Sequence, residues 1–369
     1  MSAPDVGAAG HVPVLLEEVL AWLDPRPGGT YVDATVGGGG HAAAILERIA
    51  PSGRLIGIDR DAEALTIAGQ RLASFAAAVS FRHANYTAIR QVVAEAGLEA
   101  VDGIVMDLGA SSLQFDAPER GFSFTRPGPL DMRMDRTQPA QAADLVNTLS
   151  EEDLSHLIHT YGEERWARRI ARTIVRRRPL STTSELAETV GMAIPRRAWP
   201  RGIHPATRTF QALRIATNTE LESLEHALPD AVGTLREGGR LCVITFHSLE
   251  DRIVKRLYLR LSRGCSCSPG SPTCTCGGRR LVRVLTRKPV TPGSAEVSAN
   301  PRARSAKLRV AERLSEHELS QHASGAGHPS ADPTLPSVSP YNPPPAPGLR
   351  RSRTGARSAF RSSRPGPHS

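Results

Sequence analysis

Two kinds of apolar pattern alternate along the first third of the chain. Short apolar runs occur at TYVD, RLIGID, VSFR and VDGIVMD, and each ends at or beside a polar residue. Between them lie segments with the three- and four-residue apolar spacing of amphipathic helices, such as the one over Ala64–Leu72. The segment HVPVLLEEVLAWL has the same spacing and predicts a helix before the first strand. Strands that alternate with helices predict a parallel, doubly wound α/β sheet with ligands at the carboxyl ends of its strands.

The alternation stops at about Gly121 and helical patterns continue to about Arg214. The helical segments are DLVNTLSEEDLSHLIHTYG, EERWARRIARTIVRRR and SELAETVGMAI. Ser150 begins one of them as a capping residue, and Ser181–Ser184 before Glu185 begins another. We therefore predict a helical insertion between the fourth and fifth strands of the sheet.

The β pattern resumes at GGRLCVITFHS, after a predicted helix and a glycine turn at Gly238 and Gly239. Two further β-rich runs, RRLVRVLTRKPV and SAKLRVAER, predict a terminal antiparallel pair. Beyond about Ser315 the chain is rich in Pro, Ser, Gly and Arg, a composition that does not bury enough apolar surface to fold alone. We predict a sheet domain from residues 1–120 and 215–315, a helical insertion over 121–214, and a disordered basic tail over 316–369.

Four consecutive glycines, Gly37–Gly40, follow the first predicted strand, and the second strand ends at Asp59. Glycines let a ligand approach the backbone closely, and the helix that follows offers unpaired N–H groups. An acid about twenty residues further on, at the next strand end, is placed to accept hydrogen bonds from ribose hydroxyls. This stretch predicts a site for a nucleoside-containing cofactor.

Two cofactors fit this loop. Gly37, Gly39 and Ala42 satisfy the G-x-G-x-x-A form of the dinucleotide fingerprint, which keeps an NAD-dependent oxidoreductase open. Asp33, just before the glycines, would repel a pyrophosphate but would attract the ammonium group of S-adenosylmethionine. We therefore favour S-adenosylmethionine and a methyltransferase.

The formal net charge of +9 is concentrated in two segments. Twelve arginines stand against four glutamates between Thr160 and Arg214, and six arginines against one aspartate from Gln321 onward. A local arginine surplus indicates a polyanionic partner, most simply nucleic acid, although a solvated helix surface has the same composition. A non-catalytic RNA-binding factor for ribosome assembly would also carry such a surplus. The complete set of polar strand ends favours an enzyme.

No apolar run reaches the roughly 18 residues of a membrane span, and the N-terminus lacks a signal-peptide pattern, so we expect a cytoplasmic protein. The spacing C-x-C, six residues, C-x-C predicts a candidate structural zinc site, because thiolates in a cytosolic protein more often bind metal than form disulfides. A reduced loop without metal is the alternative. The four candidate ligands are Cys265, Cys267, Cys274 and Cys276.

Seven motifs, in order from about His11 to Arg313, carry a specific resemblance. They are HVPVLLEEVL, DATVGGGGH, GIDRD, MDLGASSLQFDAPERGFSF, HPATRTFQALRIATNTEL, ITFHSLEDRIVK and NPRARSAKLRVAER. Together they resemble the family of ribosomal RNA small subunit methyltransferase H, the bacterial 16S rRNA (cytosine-N4)-methyltransferases. The resemblance implies a Rossmann-like class I methyltransferase sheet with a helical domain that helps to hold RNA. It also implies S-adenosylmethionine as methyl donor and, as substrate, a cytosine amine in the decoding region of 16S rRNA within the small ribosomal subunit.

The resemblance also implies a set of cofactor contacts. The positions are Gly39, Gly40, His41, Asp59, Tyr86, Asp107 and Gln114. Their chemistry agrees with this assignment, since Asp59 suits a ribose and the ring of Tyr86 suits an adenine. Asp107 ends the fourth predicted strand, where the methionine end of the cofactor meets the substrate.

Cytosine N4 is a poor nucleophile, so its methylation needs alignment and a polar acceptor for its hydrogens. Amino-methylating enzymes often place Asp or Ser before Pro-Pro-aromatic at this strand end, whereas here Asp107 is followed by LGASS. Asp107 is the catalytic candidate, with Ser111 and Ser112 as rivals. The RNA-binding candidates are Arg133, Arg136, Arg165, Arg168, Arg169, Arg172, Arg176, His204, Arg208 and Arg214. Five of them, from Arg165 to Arg176, have the spacing of one helix face.

Overall fold

The short apolar runs form the strands of one sheet in the computed structural model, which describes residues 13–200, 202–263 and 279–315. The strands are β1 (Thr30–Asp33), β2 (Arg54–Asp59), β3 (Val79–His83), β4 (Val101–Asp107), β5 (Leu235–Thr245), β6 (Val282–Val284) and β7 (Lys307–Arg313). Their order across the sheet is β3-β2-β1-β4-β5-β7-β6. The strands from β1 to β5 are parallel, and β7 pairs antiparallel with both β5 and β6. The predicted doubly wound sheet and its terminal antiparallel pair are confirmed.

Helices connect the strands and fill the long segment between β4 and β5. They are α1 (Leu16–Leu23), α2 (Gly40–Ile49), α3 (Ala62–Arg71), α4 (Ile89–Glu95), α5 (Ser112–Asp116), α6 (Ala142–Thr148), α7 (Glu151–Gly162), α8 (Ala167–Arg177), α9 (Thr183–Ala193), α10 (Thr207–Asn218), α11 (Glu220–Thr234), α12 (Ser248–Arg263) and α13 (Ser294–Ala299). The helix predicted before the first strand is α1.

Successive residues of the central strands enter two different cores. On β4, Ile104 and Met106 pack with α4, α11 and α12, whereas Val105 packs with α1 and α2 on the other face. On β5, Val243 packs in the same core as Ile104 and Met106, and Cys242 packs in the same core as Val105. Side chains of a strand alternate between faces, so a sheet covered on both sides needs the nearly continuous apolar runs seen here.

The glycine turn predicted at Gly238 and Gly239 lies inside β5 rather than before it. Leu235 already pairs with Val101, and the register then shifts before Arg240 pairs with Gly103. Gly238 absorbs this irregularity with a φ of 73°, which side chains with a Cβ rarely adopt.

The segment between β4 and β5 is helical, as predicted, and its helices share a core of their own. That core includes Leu154, Ile170, Leu186 and Phe210. Ser150 caps α7 through the Asp153 N–H group, so its predicted role is confirmed. The residue that caps α9 is Thr182, which forms a capping box with Glu185.

One helix of the insertion is shorter than the arginine spacing predicted. Helix α8 begins at Ala167, so Arg165 precedes it and does not belong to its arginine face. The other four arginines of that face lie on the helix. All described residues belong to one compact unit, in which the insertion is packed with the sheet domain. The exact boundaries of the two parts stay a prediction. Within the described ranges, no helix has the length and apolar character required to cross a bilayer.

Candidate active site

Three acids lie at the carboxyl edge of neighbouring strands. Asp33 ends β1, Asp59 ends β2 and Asp107 ends β4. The register places Asp33 opposite Gly57 on one side and Val105 on the other, so Asp59 and Asp107 each extend two residues further. Strand β1 lies between β2 and β4, and the carboxyl ends of these three strands form a cleft lined by carboxylates. Open α/β sheets bind ligands at this position.

The glycine loop closes one side of this cleft and is held by Asp59. Gly37 and Gly39 have φ angles of 50° and 78°, and the Gly37 N–H group donates to Asp59 Oδ2 at 2.8 Å. Asp59 Oδ1 accepts from the Asp61 N–H group, also at 2.8 Å. An ionised carboxylate accepts about four hydrogen bonds, so Asp59 retains acceptor capacity for a ligand hydroxyl. Burial raises its pKa to about 6.

Gly40 begins α2 beneath Pro13. A Cβ atom at Gly40 would lie 2.4 Å from Pro13 Cγ, so only glycine fits this contact. His41 follows in the first turn of α2 and is 5% exposed. Its Nε2 lies 3.0 Å from the Val14 carbonyl oxygen, an acceptor that requires the proton to be on Nε2. Burial lowers the pKa of His41 to about 4, so the ring is neutral at physiological pH.

Asp33 and Asp107 lack a cationic partner. Asp33 is 1% exposed; its Oδ1 accepts from the Thr35 N–H group, while its Oδ2 has no partner among the described residues. Asp107 Oδ1 is likewise buried without a partner in the described part of the chain. Asp107 Oδ2 lies 3.9 Å from Nδ1 of the neutral His41. Burial, together with Asp59, raises the pKa of Asp33 to about 7. Burial, together with Asp33 and Glu250, raises the pKa of Asp107 to about 8.

Tyr86 lies on the short turn after β3 and packs with the core that includes α11. Its hydroxyl donates to the Glu220 carbonyl oxygen at 3.3 Å. Asn85 beside it contacts Ser223 on α11. The start of α11 therefore fixes the turn that carries the predicted adenine platform.

Ser111 caps α5, a structural role that accounts for its hydroxyl. Its Oγ accepts from the Gln114 N–H group and its own N–H donates to Gln114 Oε1, which completes a capping box. The spacing S-x-x-Q at Ser111 is a known signature of this motif and was visible in the sequence. Ser112 begins α5. The geometry favours Asp107 over the two serines as amine acceptor.

Gln114 and Arg120 form a buried network that sequence reasoning identified only in part. Gln114 is 4% exposed and donates from Nε2 to Asp61 Oδ2 at 2.8 Å. Arg120, 3% exposed, pairs with the same Asp61 oxygen at 2.8 Å and with Glu63 at 2.9 Å. It also donates to the carbonyl oxygens of Arg133 and Met134. Arg120 lies within a motif quoted above, but its partner lies 59 positions away and no local pattern indicates the pair.

Arg214, an RNA-binding candidate, is largely buried and engaged within the fold. Its guanidinium binds both oxygens of Glu220 at 2.8 Å, and the two side chains are 13% and 7% exposed. A Cβ atom at Gly109 would lie 3.7 Å from Arg214 Nη2, so the guanidinium stands directly beside the backbone that follows Asp107. Its donors are engaged by a buried partner, and this role suits the cleft rather than an RNA surface.

Glu250 and His247 complete this second charged cluster at the end of β5. Glu250 is 1% exposed and accepts from the Phe246 and His247 N–H groups. Burial acts to raise its pKa, but the contact with His247 and the charge of Arg214 outweigh burial and hold the pKa below its usual range. Glu220, His247 and Glu250 bring one ligand atom each within 4.8 Å, as in a metal site. The Arg214 guanidinium already compensates the charge of the Glu220 carboxylate, the role that a metal ion would have at this position.

The remaining RNA-binding candidates divide into paired and exposed groups. Arg133 binds Asp131 through Nε and Nη2 and is 19% exposed, so its guanidinium is largely engaged within the fold. Arg136 pairs with Glu63. The exposed candidates are Arg165, Arg168, Arg169, Arg172, Arg176, His204 and Arg208. The four cysteines of the predicted zinc site lie outside the described residues.

The comparisons identify relatives along most of the chain. The model of the MraW methylase family matches residues 8–314. The chain is 54% identical over 307 residues to ribosomal RNA small subunit methyltransferase H of Geobacter sp. (strain M21), which covers 82% of this chain and 98% of that protein. It is 55% identical over 307 residues to the protein of the same name from Symbiobacterium thermophilum, with 82% and 96% covered. Among solved structures, an rRNA methylase from Streptococcus thermophilus is similar at a TM-score of 0.36 and 11% identity, over 81% of this chain and 94% of that one. The chain belongs to the MraW methylase family.

We expect Asp107→Asn to stabilise the ligand-free protein at alkaline pH. The pKa of Asp107 is about 8 in the fold, against about 3.9 for an unfolded aspartate. Because the folded pKa is raised, the stability that this carboxyl group contributes is complete below about pH 4 and is lost as the pH rises through about 8. The melting temperature of the Asn variant should therefore exceed that of the parent by more at about pH 8.5 than at about pH 5.5.

Thermal unfolding followed by circular dichroism measures this difference. Asp230→Asn is a matched control, since that side chain is 41% exposed on α11. An Asp107→Asn melting difference that is equal at the two pH values would contradict a buried, uncompensated carboxylate.

Proposed function

We propose that this member of the MraW methylase family transfers a methyl group from S-adenosylmethionine to the N4 amine of a cytosine in the decoding region of 16S rRNA. One observation carries the proposal: Asp33 and Asp107 present buried, unpartnered carboxylate oxygens beside a glycine loop. The relatives named for rRNA methylation, at 54% and 55% identity, support rRNA as the substrate. A substrate of this kind also supports a cytoplasmic protein.

The charge of the cleft fits S-adenosylmethionine better than a dinucleotide. Buried carboxylates with raised pKa values need positive charge, and this cofactor carries an ammonium and a sulfonium group. Asp33 would hold the ammonium, and Asp107 would face the sulfonium end and the substrate. A pyrophosphate in the same place would add negative charge beside Asp33. The oxidoreductase alternative therefore lacks support from the geometry as well as from the family.

The other predicted contacts would each bind a different part of the cofactor along the carboxyl edge of the sheet. Gly40 and His41 would bring backbone N–H groups of the α2 N-terminus close to the methionine part. The Gly39 N–H group donates to the Val36 carbonyl oxygen at 2.8 Å, so Gly39 would contribute by its close approach to the cofactor. Asp59 has acceptor capacity for the two ribose hydroxyls. The ring of Tyr86 would pack on the adenine. Gln114, held by Asp61, would close a further side of the pocket.

S-adenosylmethionine supplies an electrophilic methyl group and leaves as S-adenosylhomocysteine with the electron pair of the broken C–S bond. The protein must align the cytosine amine and stabilise the positive charge that develops on N4 as the new C–N bond forms. The Asp107 carboxylate would perform both tasks, since it can accept a hydrogen bond from the amine and then take its proton. The neutral His41 beside it supplies no positive charge, so ionisation of Asp107 would depend on the cationic cofactor.

Arg214, Glu220 and Glu250 would hold this geometry rather than take part in the reaction. The Arg214 guanidinium rests against Gly109, two residues after Asp107, and both of its carboxylate neighbours are buried. A buried, fully hydrogen-bonded cluster keeps its members in one arrangement. It would fix the direction in which the Asp107 segment leaves β4.

The helical insertion would hold the RNA, because phosphate contacts position a substrate while cleft groups act on the base. Exposed arginines on α8 support this role. The proposed division of the chain into 1–120 with 215–315, 121–214 and 316–369 follows from it. A zinc ion on Cys265, Cys267, Cys274 and Cys276 stays a prediction for residues outside the described ranges.

Incubation of the purified protein with unmethylated small ribosomal subunits and labelled S-adenosylmethionine tests the reaction. Mass spectrometry of the digested rRNA should find N4-methylcytidine in the decoding region. Asp107→Asn should lower kcat by about 100-fold or more, as loss of a stabilising group in an active site does. The rate should be measured at saturating cofactor, so that weaker cofactor binding accounts for none of this loss. Methylation of a carbon or ribose atom instead would refute the N4 assignment, and normal kcat in the variant would refute the role of Asp107.

We expect Asp59→Ala to weaken S-adenosylmethionine binding by about 1–3 kcal/mol, because charge-assisted hydrogen bonds to the ribose are lost. Titration calorimetry gives the dissociation constant directly. Asp230→Ala removes a half-exposed acid of α11 outside the cleft and serves as control. A dissociation constant equal to that of the parent would remove the ribose assignment.

The triple variant Arg168→Ala, Arg172→Ala and Arg176→Ala should bind small-subunit rRNA more weakly. Its salt dependence should flatten by up to about three units of slope, since each phosphate contact contributes about 0.9. Arg172 also pairs with Glu151, so it contributes the least of the three. The matched control replaces three exposed arginines outside the insertion: Arg26, Arg90 and Arg236. Equal slopes for both triple variants would show that α8 is only a solvated surface.

A further inference from the structure

A surface that exposes apolar and aromatic groups lies around the segment from the end of α9 to the start of α10. Of its residues, only His204 has a role above, as an RNA-binding candidate. We call it the Trp199 surface and define it by Met192, Arg196, Trp199, Ile203 and His204. Met192 and Ile203 are 54% and 46% exposed, two of the three large apolar side chains recorded as exposed among the described residues. Exposed apolar groups that cluster in this way indicate a binding surface rather than a chance distribution.

The rings of this surface are held in place from beneath. The His204 ring lies 4.7 Å from that of Phe124 and 5.8 Å from that of Trp199, measured between centroids. Phe124 in turn contacts the buried Phe210 at 4.7 Å. Trp199 Nε1 donates to the Ile194 carbonyl oxygen at 3.1 Å. Rings fixed in this way lose little conformational entropy when a ligand packs on them.

Cations accompany the rings. The Arg196 guanidinium lies 4.1 Å above the Trp199 ring, and Arg197 beside it is exposed. Residues 189–219 contain five arginines and no aspartate or glutamate. His204 is exposed, and partial burial of its ring lowers its pKa, which favours the neutral form that stacks without desolvating a charge. A solvated basic surface alone would not need the exposed His204 ring and the partly exposed Trp199 ring among its arginines.

We propose that the Trp199 surface binds unpaired nucleotides of the rRNA substrate close to the target cytosine. Bases would stack on Trp199 with Arg196 and on His204, and the exposed Arg197 and Arg208 would face phosphates. Aromatic rings and arginine planes are the groups on which proteins stack single-stranded bases. This proposal rests on the proposed function for its substrate.

The position of the surface agrees with this partner. His204 lies three residues before α10, and Arg214 stands beside Gly109 in the cleft seven residues after α10 begins. Seven residues of helix span about 10 Å. Helix α10 therefore connects the stacking surface to the reacting centre over a distance that neighbouring nucleotides cover.

The test is a comparison of steady-state kinetics on unmethylated small ribosomal subunits. Trp199→Ala should raise KM for the subunit roughly 5- to 100-fold, the loss expected for one stacked base, with kcat and the dissociation constant of S-adenosylmethionine unchanged. His204→Ala, which removes the exposed ring beside Trp199, should raise KM in the same direction. Trp199→Phe should restore most of the affinity because it keeps an aromatic face. Leu281→Ser, which removes the third exposed apolar side chain, is the control and should leave KM unchanged.

Binding to protein-free rRNA of the decoding region separates RNA from a ribosomal protein as the occupant. Weaker binding of the Trp199→Ala and His204→Ala variants to this RNA supports the proposal. A loss confined to assembled subunits overturns it, as does an unchanged KM in both variants while the parent methylates normally. Failure of the parent to methylate rRNA at all would instead refute the proposed function. A thermal unfolding midpoint equal to that of the parent shows that each variant is folded.

Discussion

The arrangement of this protein depends on carboxylates that the fold buries without giving them a cation. Asp33 and Asp107 end adjacent parallel strands, so the sheet brings their carboxyl groups together, and one oxygen of each is buried without a partner among the described residues. The chain has arginines nearby, but Arg120 pairs with Asp61 and Arg214 with Glu220. His41, the nearest basic ring to Asp107, is neutral. Burial and neighbouring acids raise the pKa values of Asp33 and Asp107 to about 7 and about 8. A cationic ligand therefore favours ionisation of both groups, and their ionisation without one lowers the stability of the fold at alkaline pH.

Two buried arginines, Arg120 and Arg214, stabilise the walls of the cleft through ion pairs with buried carboxylates. The acceptors around Arg120 belong to segments far apart in the sequence, whereas Arg214 binds Glu220 at the start of α11. Arg120 ties the turn after β2 to the loop before α6, through Asp61 and the Met134 carbonyl oxygen. Removing either arginine would leave its buried acceptors unpaired, which generally costs more than the pair contributes. These arginines therefore fix the walls between which the cofactor and the base would meet.

The sheet, the insertion and the acids at the strand ends could be predicted from the sequence because each follows from a local pattern. Apolar runs ending in acids place Asp33, Asp59 and Asp107 on one edge whatever the details of packing. Burial and pairing between distant residues could not be predicted in this way. Arg214 stands in a basic segment and was an RNA-binding candidate, yet it pairs with Glu220, two residues beyond the end of α10. The extent of β5 was also missed, because its irregular pairing with β4 depends on the neighbouring strand.

The place of the insertion in the chain explains how an RNA-holding element and a cofactor pocket can share a wall. Asn218 ends α10 and is 1% exposed; its side chain binds the backbone of Met132 and Met134, and its carbonyl oxygen accepts from Arg60 at 2.8 Å. Arg60 directly follows Asp59, the predicted ribose ligand. If bound RNA displaced α10, the turn after Asp59 would therefore move with it. Cofactor binding at that turn would shift α10 in return, because coupling between two sites is reciprocal. Helix α10 thus contacts both the loop of Met132 and Met134 and the turn after Asp59, which is proposed to bind the ribose of the methyl donor.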